Sequence, residues 1–116
     1  MAGAASILAW NVARTIGADT VGVLAQAGHT QLGGWYLSNS DTTSCALKVY
    51  DKATAPLSSD TPKLTIQLPA QSAANALMDD GIHFSLGLGY RVSAGIADSD
   101  TVTVGSQSVV VNLLYR

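Results

Sequence analysis

The two histidines and the single cysteine are the side chains of this chain best suited to catalysis. A nucleophilic mechanism needs a Ser or Cys beside a base that a third group orients, and neither His29 nor His83 lies within a recognisable group of that kind. His83, between Ile82 and Phe84, has the pattern of a solvent-facing position in a strand. Cys45 stands in an apolar strand pattern without a second cysteine, which indicates a buried, inert thiol. We therefore expect that the protein is not an enzyme.

Two groups of aspartates resemble the oxygen-rich sites that bind cations, namely Asp79-Asp80 and Asp98-Ser99-Asp100. Neither group has the number of ligands, the fixed Gly and the terminal Glu of a calcium loop. Asp also caps its own backbone in turns, and a turn explains each group better than a metal does. We expect no metal and no cofactor, while cation binding at Asp79/Asp80 or Asp98/Asp100 stays open at this level.

Three aromatic residues are candidates for recognition. Trp35 and Tyr36 are adjacent, so in a strand they point to opposite faces. Three roles are compatible with this pair: packing in the core, anchoring a subunit interface, where Trp and Tyr are enriched, or stacking on a sugar. Trp10 lies in a weakly patterned segment without a core around it, so we expect it to dock on a neighbouring chain.

The composition is apolar and poor in charge. Hydrophobic residues make up 47% of the 116 residues and charged residues only 12%, about half the charged share of an ordinary globular protein. With a mean hydropathy of +0.26, this predicts apolar surface that is buried against another chain. The net charge of −2 offers no positive cluster for nucleic acid, and no run approaches the roughly 18 apolar residues of a membrane span. We expect an oligomer or assembly subunit that binds neither nucleic acid nor membrane.

The chain is predicted to be all-β. All eight acidic residues are Asp, which favours turns over helices. Residues 1–28 are predicted as an N-terminal arm or two edge strands, with a short helix over 4–13 or disorder until a partner binds as alternatives. Residues 29–116 are predicted as a single β-sandwich or jelly-roll-like domain. Its predicted elements are a hairpin over 32–50, a half-buried strand over 63–68, a turn at 79–81, a strand over 86–94 and a central, doubly covered strand over 108–115.

Residues 31–116 resemble small structural proteins of tailed bacteriophages, of the head-decoration or cement type. The resemblance rests on a series of short phrases with no catalytic signature among them. The phrases are Gly34-Trp35-Tyr36 with Asn39, the segment 47–53, Asp60-Thr61-Pro62 before Leu64-Thr65-Ile66, and the segments 81–88, 97–101 and 109–112.

This resemblance implies a non-enzymatic virion component, made in the host cytoplasm, that binds the major capsid protein on the outer surface of the icosahedral head. It also implies self-association as a homotrimer and stabilisation of the shell. A tail, neck or fibre component and a carbohydrate-binding β-sandwich module are the alternatives. On this basis we expect the N-terminal arm to reach a neighbouring chain. The predicted interface residues are Ile7, Leu8, Trp10, Val12, Trp35 and Tyr36.

Overall fold

A computed structural model describes residues 10–116, which contain eight β-strands and no helix. The predicted all-β class is therefore confirmed. The strands are β1 (Asn11–Ile16), β2 (Val23–Ala27), β3 (Thr30–Asn39), β4 (Cys45–Asp51), β5 (Leu64–Leu68), β6 (Ser72–Phe84), β7 (Gly87–Ser93) and β8 (Val109–Tyr115).

The strands form two antiparallel sheets of four, as in a β-sandwich. The first, here called the front sheet, has the order β1-β8-β3-β6, and the second, the back sheet, has the order β2-β7-β4-β5. All pairings are antiparallel. Because successive side chains in a strand alternate between faces, every second residue of each strand points into the space between the sheets.

The inward-pointing residues form one apolar core. Leu37, Val111 and Leu113 come from the front sheet, and Val49 and Val92 from the back sheet, each at most 2% exposed. A polar contact also joins the layers, since the hydroxyl groups of Thr15 on β1 and Tyr90 on β7 lie 2.6 Å apart. That bond satisfies two hydroxyls that an apolar core would otherwise leave unpaired.

The predicted hairpin over 32–50 is wrong, because its two strands lie in different sheets. β3 belongs to the front sheet and β4 to the back sheet. Residues 40–44 cross between the sheets, and Asn39 holds this crossing: its side-chain amide donates to the carbonyl of Thr43 at 3.0 Å, and its Oδ1 accepts from the amide of Asp41 at 2.9 Å. A strand, turn, strand pattern predicts two strands but does not identify their partners.

The predicted turn at 79–81 is also wrong, because β6 runs through these residues without reversing. The register between β3 and β6 shifts between Leu32 and Gly34 at this point, as expected for a bulge. Gly81 has a φ of +78°, and a Cβ there would lie 2.6 Å from the carbonyl oxygen of Leu32. The bulge therefore uses the Asp-Asp-Gly sequence that would otherwise favour a turn.

Residues 11–27 supply one edge strand to each sheet, β1 to the front and β2 to the back. This arrangement corresponds to the edge-strand alternative. Residues 11–13, the end of the alternative helix over 4–13, belong to strand β1. Residues 1–9, which contain Ile7, Leu8 and the first third of the predicted arm, lie outside the described residues.

Candidate functional site

The outer faces of the two sheets differ, and this difference locates the candidate site. In the back sheet, β7 is buried at every position and β4 at every position except Asp51. Two loops of the same chain provide this cover, 52–63 between β4 and β5 and 94–108 between β7 and β8. Pro56 of the first loop lies directly over β7, since a Cβ on Gly89 would be 2.8 Å from its ring.

Two buried cations lie under the second loop. The ammonium group of Lys48 donates to the hydroxyl of Ser93 at 2.6 Å and to the carbonyl of Ala97. The guanidinium group of Arg91 donates to the Tyr50 hydroxyl at 2.9 Å and to the carbonyl of Asp100 at 2.7 Å. Burial, and next the charge of Arg91, lower the pKa of Lys48. The two central strands of the back sheet, β4 and β7, are thus covered by loops of the same chain.

Among the aspartates considered as cation ligands, Asp100 has structural contacts. The carboxylate of Asp100 accepts the amide of Gly95 at 2.9 Å and that of Val102 at 3.2 Å, which holds the loop and lowers the pKa of Asp100. Asp79 and Asp80 are exposed in the bulge of β6. Residues 10–116 contain no group of three or more His, Cys, Asp or Glu side chains placed to bind a metal.

The front sheet, by contrast, has no loop of residues 10–116 over its outer face, here called the front face. Leu77 on β6, Val12 on β1 and Ile16 on β1 are 68%, 56% and 53% exposed there. The outward residues of β8, predicted to be fully covered, are only half-buried; that part of the prediction is wrong, while the central position of β8 between β1 and β3 is as predicted. The residues of the front face are Val12, Arg14, Ile16, Gly34, Tyr36, Ser38, Ala73, Asn75, Leu77, Val110, Asn112 and Leu114.

The strand register arranges the front face in three rows across the sheet. Two rows are mainly apolar and flank a polar middle row. The rows are Val12-Leu114-Gly34-Leu77, then Arg14-Asn112-Tyr36-Asn75, then Ile16-Val110-Ser38-Ala73. Such a patch on a subunit surface is typical of a contact site.

The structure separates the predicted interface residues into three groups. Val12 and Tyr36 lie exposed on the front face, Tyr36 at 43%. Trp35 points the other way and packs against the core. Trp10 packs on its own chain, because its ring lies against Gly33 and the guanidinium group of Arg116 is 3.8 Å from the ring centroid. The premise that Trp10 lacks cover from its own chain is therefore wrong.

Sequence reasoning missed Ile16 and Leu77, which are among the most exposed apolar residues of the front face. The available signal in β1 is that Val12, Arg14 and Ile16 lie two residues apart and so share one face of the strand. In β6, Ala73, Asn75 and Leu77 show the same spacing of two residues. This spacing does not predict exposure, because an apolar residue gives the same pattern whether its face of the strand is exposed or buried.

The two histidines lie side by side at one end of the sandwich. Nδ1 of His83 is 3.4 Å from Nε2 of His29, and Nε2 of His83 is 3.3 Å from the side-chain amide of Gln31. The other atom of that amide, Oε1, accepts from Arg116, so Gln31 presents its NH₂ group to His83. Both rings belong to a surface hydrogen-bond chain.

A cleft of about 180 Å³ opens beside β1 and β2. It is smaller than the roughly 300 Å³ of the smallest ordinary ligand pockets. Its hydroxyl groups on Thr15 and Tyr90 bond to each other. Its carboxylate, on Asp19, accepts the amides of Thr20 and Val104. Arg91 also lines the cleft, and its Nη1 is buried without a hydrogen-bond partner among the described residues. The other three polar groups are already hydrogen-bonded, and the cleft is small, so the front face remains the better candidate.

Comparison with known proteins finds no matching family, no matching curated protein and no matching solved structure. Within residues 10–116 the structure contains no helix long and apolar enough to cross a membrane.

Proposed function

We propose that this chain is a non-enzymatic decoration, or cement, protein of a tailed-bacteriophage capsid, which binds the outside of the head and stabilises the shell. The observation that carries the proposal is the exposed, largely apolar front face of residues 10–116, beside a back sheet whose two central strands are covered by loops of the same chain. A subunit that binds other subunits of a shell needs an exposed apolar face of this kind, because the contact buries its apolar side chains. The short phrases by which residues 31–116 resemble phage structural proteins include strands of both sheets.

A jelly-roll topology is part of this proposal. The order β1-β8-β3-β6 opposite β2-β7-β4-β5 supports it, because a jelly roll places eight strands in two sheets joined by Greek-key connections. Every connection except β4 to β5 passes from one sheet to the other. The fold by itself carries no function, so it supports the proposal only together with the front face.

Stabilisation of the shell follows from mass action. A protein that binds only the assembled, expanded shell lowers the free energy of that state relative to dissociated or unexpanded states. Many weak contacts repeated over a lattice give a high total affinity. Shells that lack the protein are expected to open at lower temperature or after milder osmotic shock.

The arm hypothesis needs a narrower test than removal of residues 1–28. That deletion removes β1 and β2, one edge strand from each sheet, and the sandwich would not stay intact. Deletion of residues 2–9 removes Ile7 and Leu8 and keeps both strands. We expect it to weaken binding to shells; undiminished binding would show that the arm is dispensable.

Copy number in purified particles tests the proposed function directly. Particles from the strain that encodes this chain are analysed by quantitative mass spectrometry relative to the major capsid protein. A ratio near one to one, or one trimer per few capsid subunits, supports head decoration. A handful of copies assigns the chain to the tail or neck, and absence from the particle overturns the proposal.

A carbohydrate-binding module is the second candidate, and the surroundings of Tyr36 favour it. Tyr36 is exposed in a row with Asn75 and Asn112, and an aromatic ring beside amide groups suits a sugar. Trp35 is packed against the core, so the informative variant is Tyr36→Ala. Sugar binding that is lost in Tyr36→Ala would favour this candidate over a virion role.

A further inference from the structure

We propose that His29 and His83 form a binding site for a zinc ion, which is held by Nε2 of His29 and Nδ1 of His83. The site lies at one end of the sandwich and not on the front face, so it is independent of the proposed function. Both residues are exposed, and water can therefore reach the ion and complete its coordination.

The separation of the two ring nitrogens fits a zinc ion. Nδ1 of His83 is 3.4 Å from Nε2 of His29. Two nitrogens that bind one zinc ion at about 2.0–2.1 Å with tetrahedral angles lie roughly 3.3 to 3.4 Å from each other. Two neighbouring ligands at right angles, as in a square-planar or octahedral site, would lie only roughly 2.9 Å apart. The pair therefore favours a tetrahedral ion.

Both histidines lie on segments that are held in place. His29 is in the two-residue turn between β2 and β3, where the buried hydroxyl group of Thr30 donates to the carbonyl of Gly28 at 2.9 Å. The amide of Gly28 donates to the carbonyl of Leu86 at 2.8 Å, which joins this turn to the residues after β6. His83 lies in β6, which pairs with β3. Ligands on a fixed backbone lose little freedom when a metal binds.

The second nitrogen of His83 modulates the affinity. The amide nitrogen of Gln31 is 3.3 Å from Nε2 of His83 and 3.2 Å from the carbonyl of Asp80. Oε1 of Gln31 accepts from Arg116 at 3.0 Å. Zinc on Nδ1 requires the ring proton of His83 to be on Nε2, which then needs an acceptor. The Gln31 amide must turn over to present its oxygen, and it loses its bonds to Asp80 and Arg116.

The surrounding charge also limits the affinity. The ammonium group of Lys63 donates to the carbonyl of His83 at 2.5 Å, and Arg116 belongs to the same hydrogen-bond chain. In residues 10–116 no third His, Cys, Asp or Glu side chain is placed to join the pair, so water fills the remaining positions. We expect a dissociation constant on the order of 100 μM.

Calorimetric titration of the unmodified chain with zinc chloride gives the affinity and the stoichiometry. We expect one zinc ion per chain, and we expect His29→Ala and His83→Ala each to weaken binding roughly tenfold or more. Asp79→Asn is the matched control, because Asp79 is exposed elsewhere on β6 and should not affect the affinity. Magnesium chloride should give no binding, since magnesium prefers oxygen ligands. Circular dichroism confirms that the variants fold.

Replacement of Gln31 tests the proposed geometry. In Gln31→Glu a carboxylate can accept from Nε2 of His83 and from Arg116 together, and we expect the zinc affinity to rise roughly tenfold. Added negative charge alone would also attract a cation. The double variant Gln31→Glu with His83→Ala separates the two effects, because it should lose the gain.

Nitrogen NMR of the histidine rings identifies the coordinating atoms. Zinc should shift Nδ1 of His83 and Nε2 of His29. Four results would overturn the inference: no zinc binding below about 1 mM, binding that survives His83→Ala, one zinc ion per two chains, or coordination through the other ring nitrogens. Each of these leaves the proposed function intact, because copy number in particles tests that function separately.

Discussion

Lys48 and Arg91 lie directly opposite each other on β4 and β7, and both are fully buried although each is a basic side chain. Their hydrogen bonds reach the carbonyl groups of Ala97, Asp98 and Asp100 in the loop 94–108. Within residues 10–116, Nη1 of Arg91 is buried without a hydrogen-bond partner. The pair attaches a long loop to the back sheet and so covers its outer face. The corresponding face of the front sheet stays exposed in residues 10–116.

Replacement of Lys48 separates the packing of its side chain from its charge. Lys48→Ala removes the buried alkyl chain and the bonds to Ser93 and Ala97, so we expect a loss of about 2–3 kcal/mol in the free energy of unfolding. Lys48→Met keeps the volume and removes the desolvated charge, and we expect a change below about 1 kcal/mol. Urea denaturation measures both. Equal losses in the two variants would show that the ammonium group, with its charge and its hydrogen bonds to Ser93 and Ala97, matters more than the packing of the alkyl chain.

The contact between Trp10 and Gly33 predicts that replacing Gly33 destabilises the protein only while Trp10 is present. In Gly33→Ala the new Cβ would lie 2.5 Å from the Trp10 ring, so the ring must move and lose its stacking on Arg116. We expect destabilisation by about 1–3 kcal/mol and a red shift of Trp fluorescence. The matched control is the same change in a Trp10→Ala background, where the loss in the free energy of unfolding should largely vanish. A loss of stability that persists in the Trp10→Ala background would show that the strain arises elsewhere in the bulge.

The thiol of Cys45 should be inert in the folded protein. Burial, with a further contribution from Asp41, raises the pKa of Cys45 to about 11, and the nucleophilic form is the thiolate. We expect no reaction with a disulfide reagent at pH 8 in buffer and complete reaction in urea. Labelling in buffer at the rate of an exposed thiol would contradict the described burial.

Asp51 should contribute to acid sensitivity. Burial favours a higher pKa for Asp51, but the hydrogen bonds from the amides of Leu86, Ser85 and Gly87 outweigh it and lower the pKa below 3.8. A lowered carboxyl pKa stabilises the fold fully above the unfolded value and loses that contribution as the pH falls through the folded value. Stability measured between about pH 5 and pH 2 should therefore fall less steeply in Asp51→Asn. Asp79→Asn, at an exposed position, should follow the unmodified chain.

The amino-acid sequence by itself determined the class of fold and much of the local structure. The absence of Glu and the alternation in Leu64–Leu68 predicted strands in place of helices, and the structure has that strand with Leu68 buried and Thr65 exposed. The apolar run at Val109–Tyr115 predicted a central strand, and β8 is one. These features follow from residue type and spacing, which act over a few neighbouring residues.

Only the tertiary structure decided how the strands pair and which faces stay open. The strand β3 pairs with β6 and β8, not with β4, because pairing depends on how distant segments bury their apolar faces together. The exposed Leu77 and the buried Lys48 reverse what residue type alone predicts. A loop from elsewhere in the chain covers Lys48, and no segment of residues 10–116 covers Leu77, so the burial of each depends on the assembled sheets and not on its own local sequence.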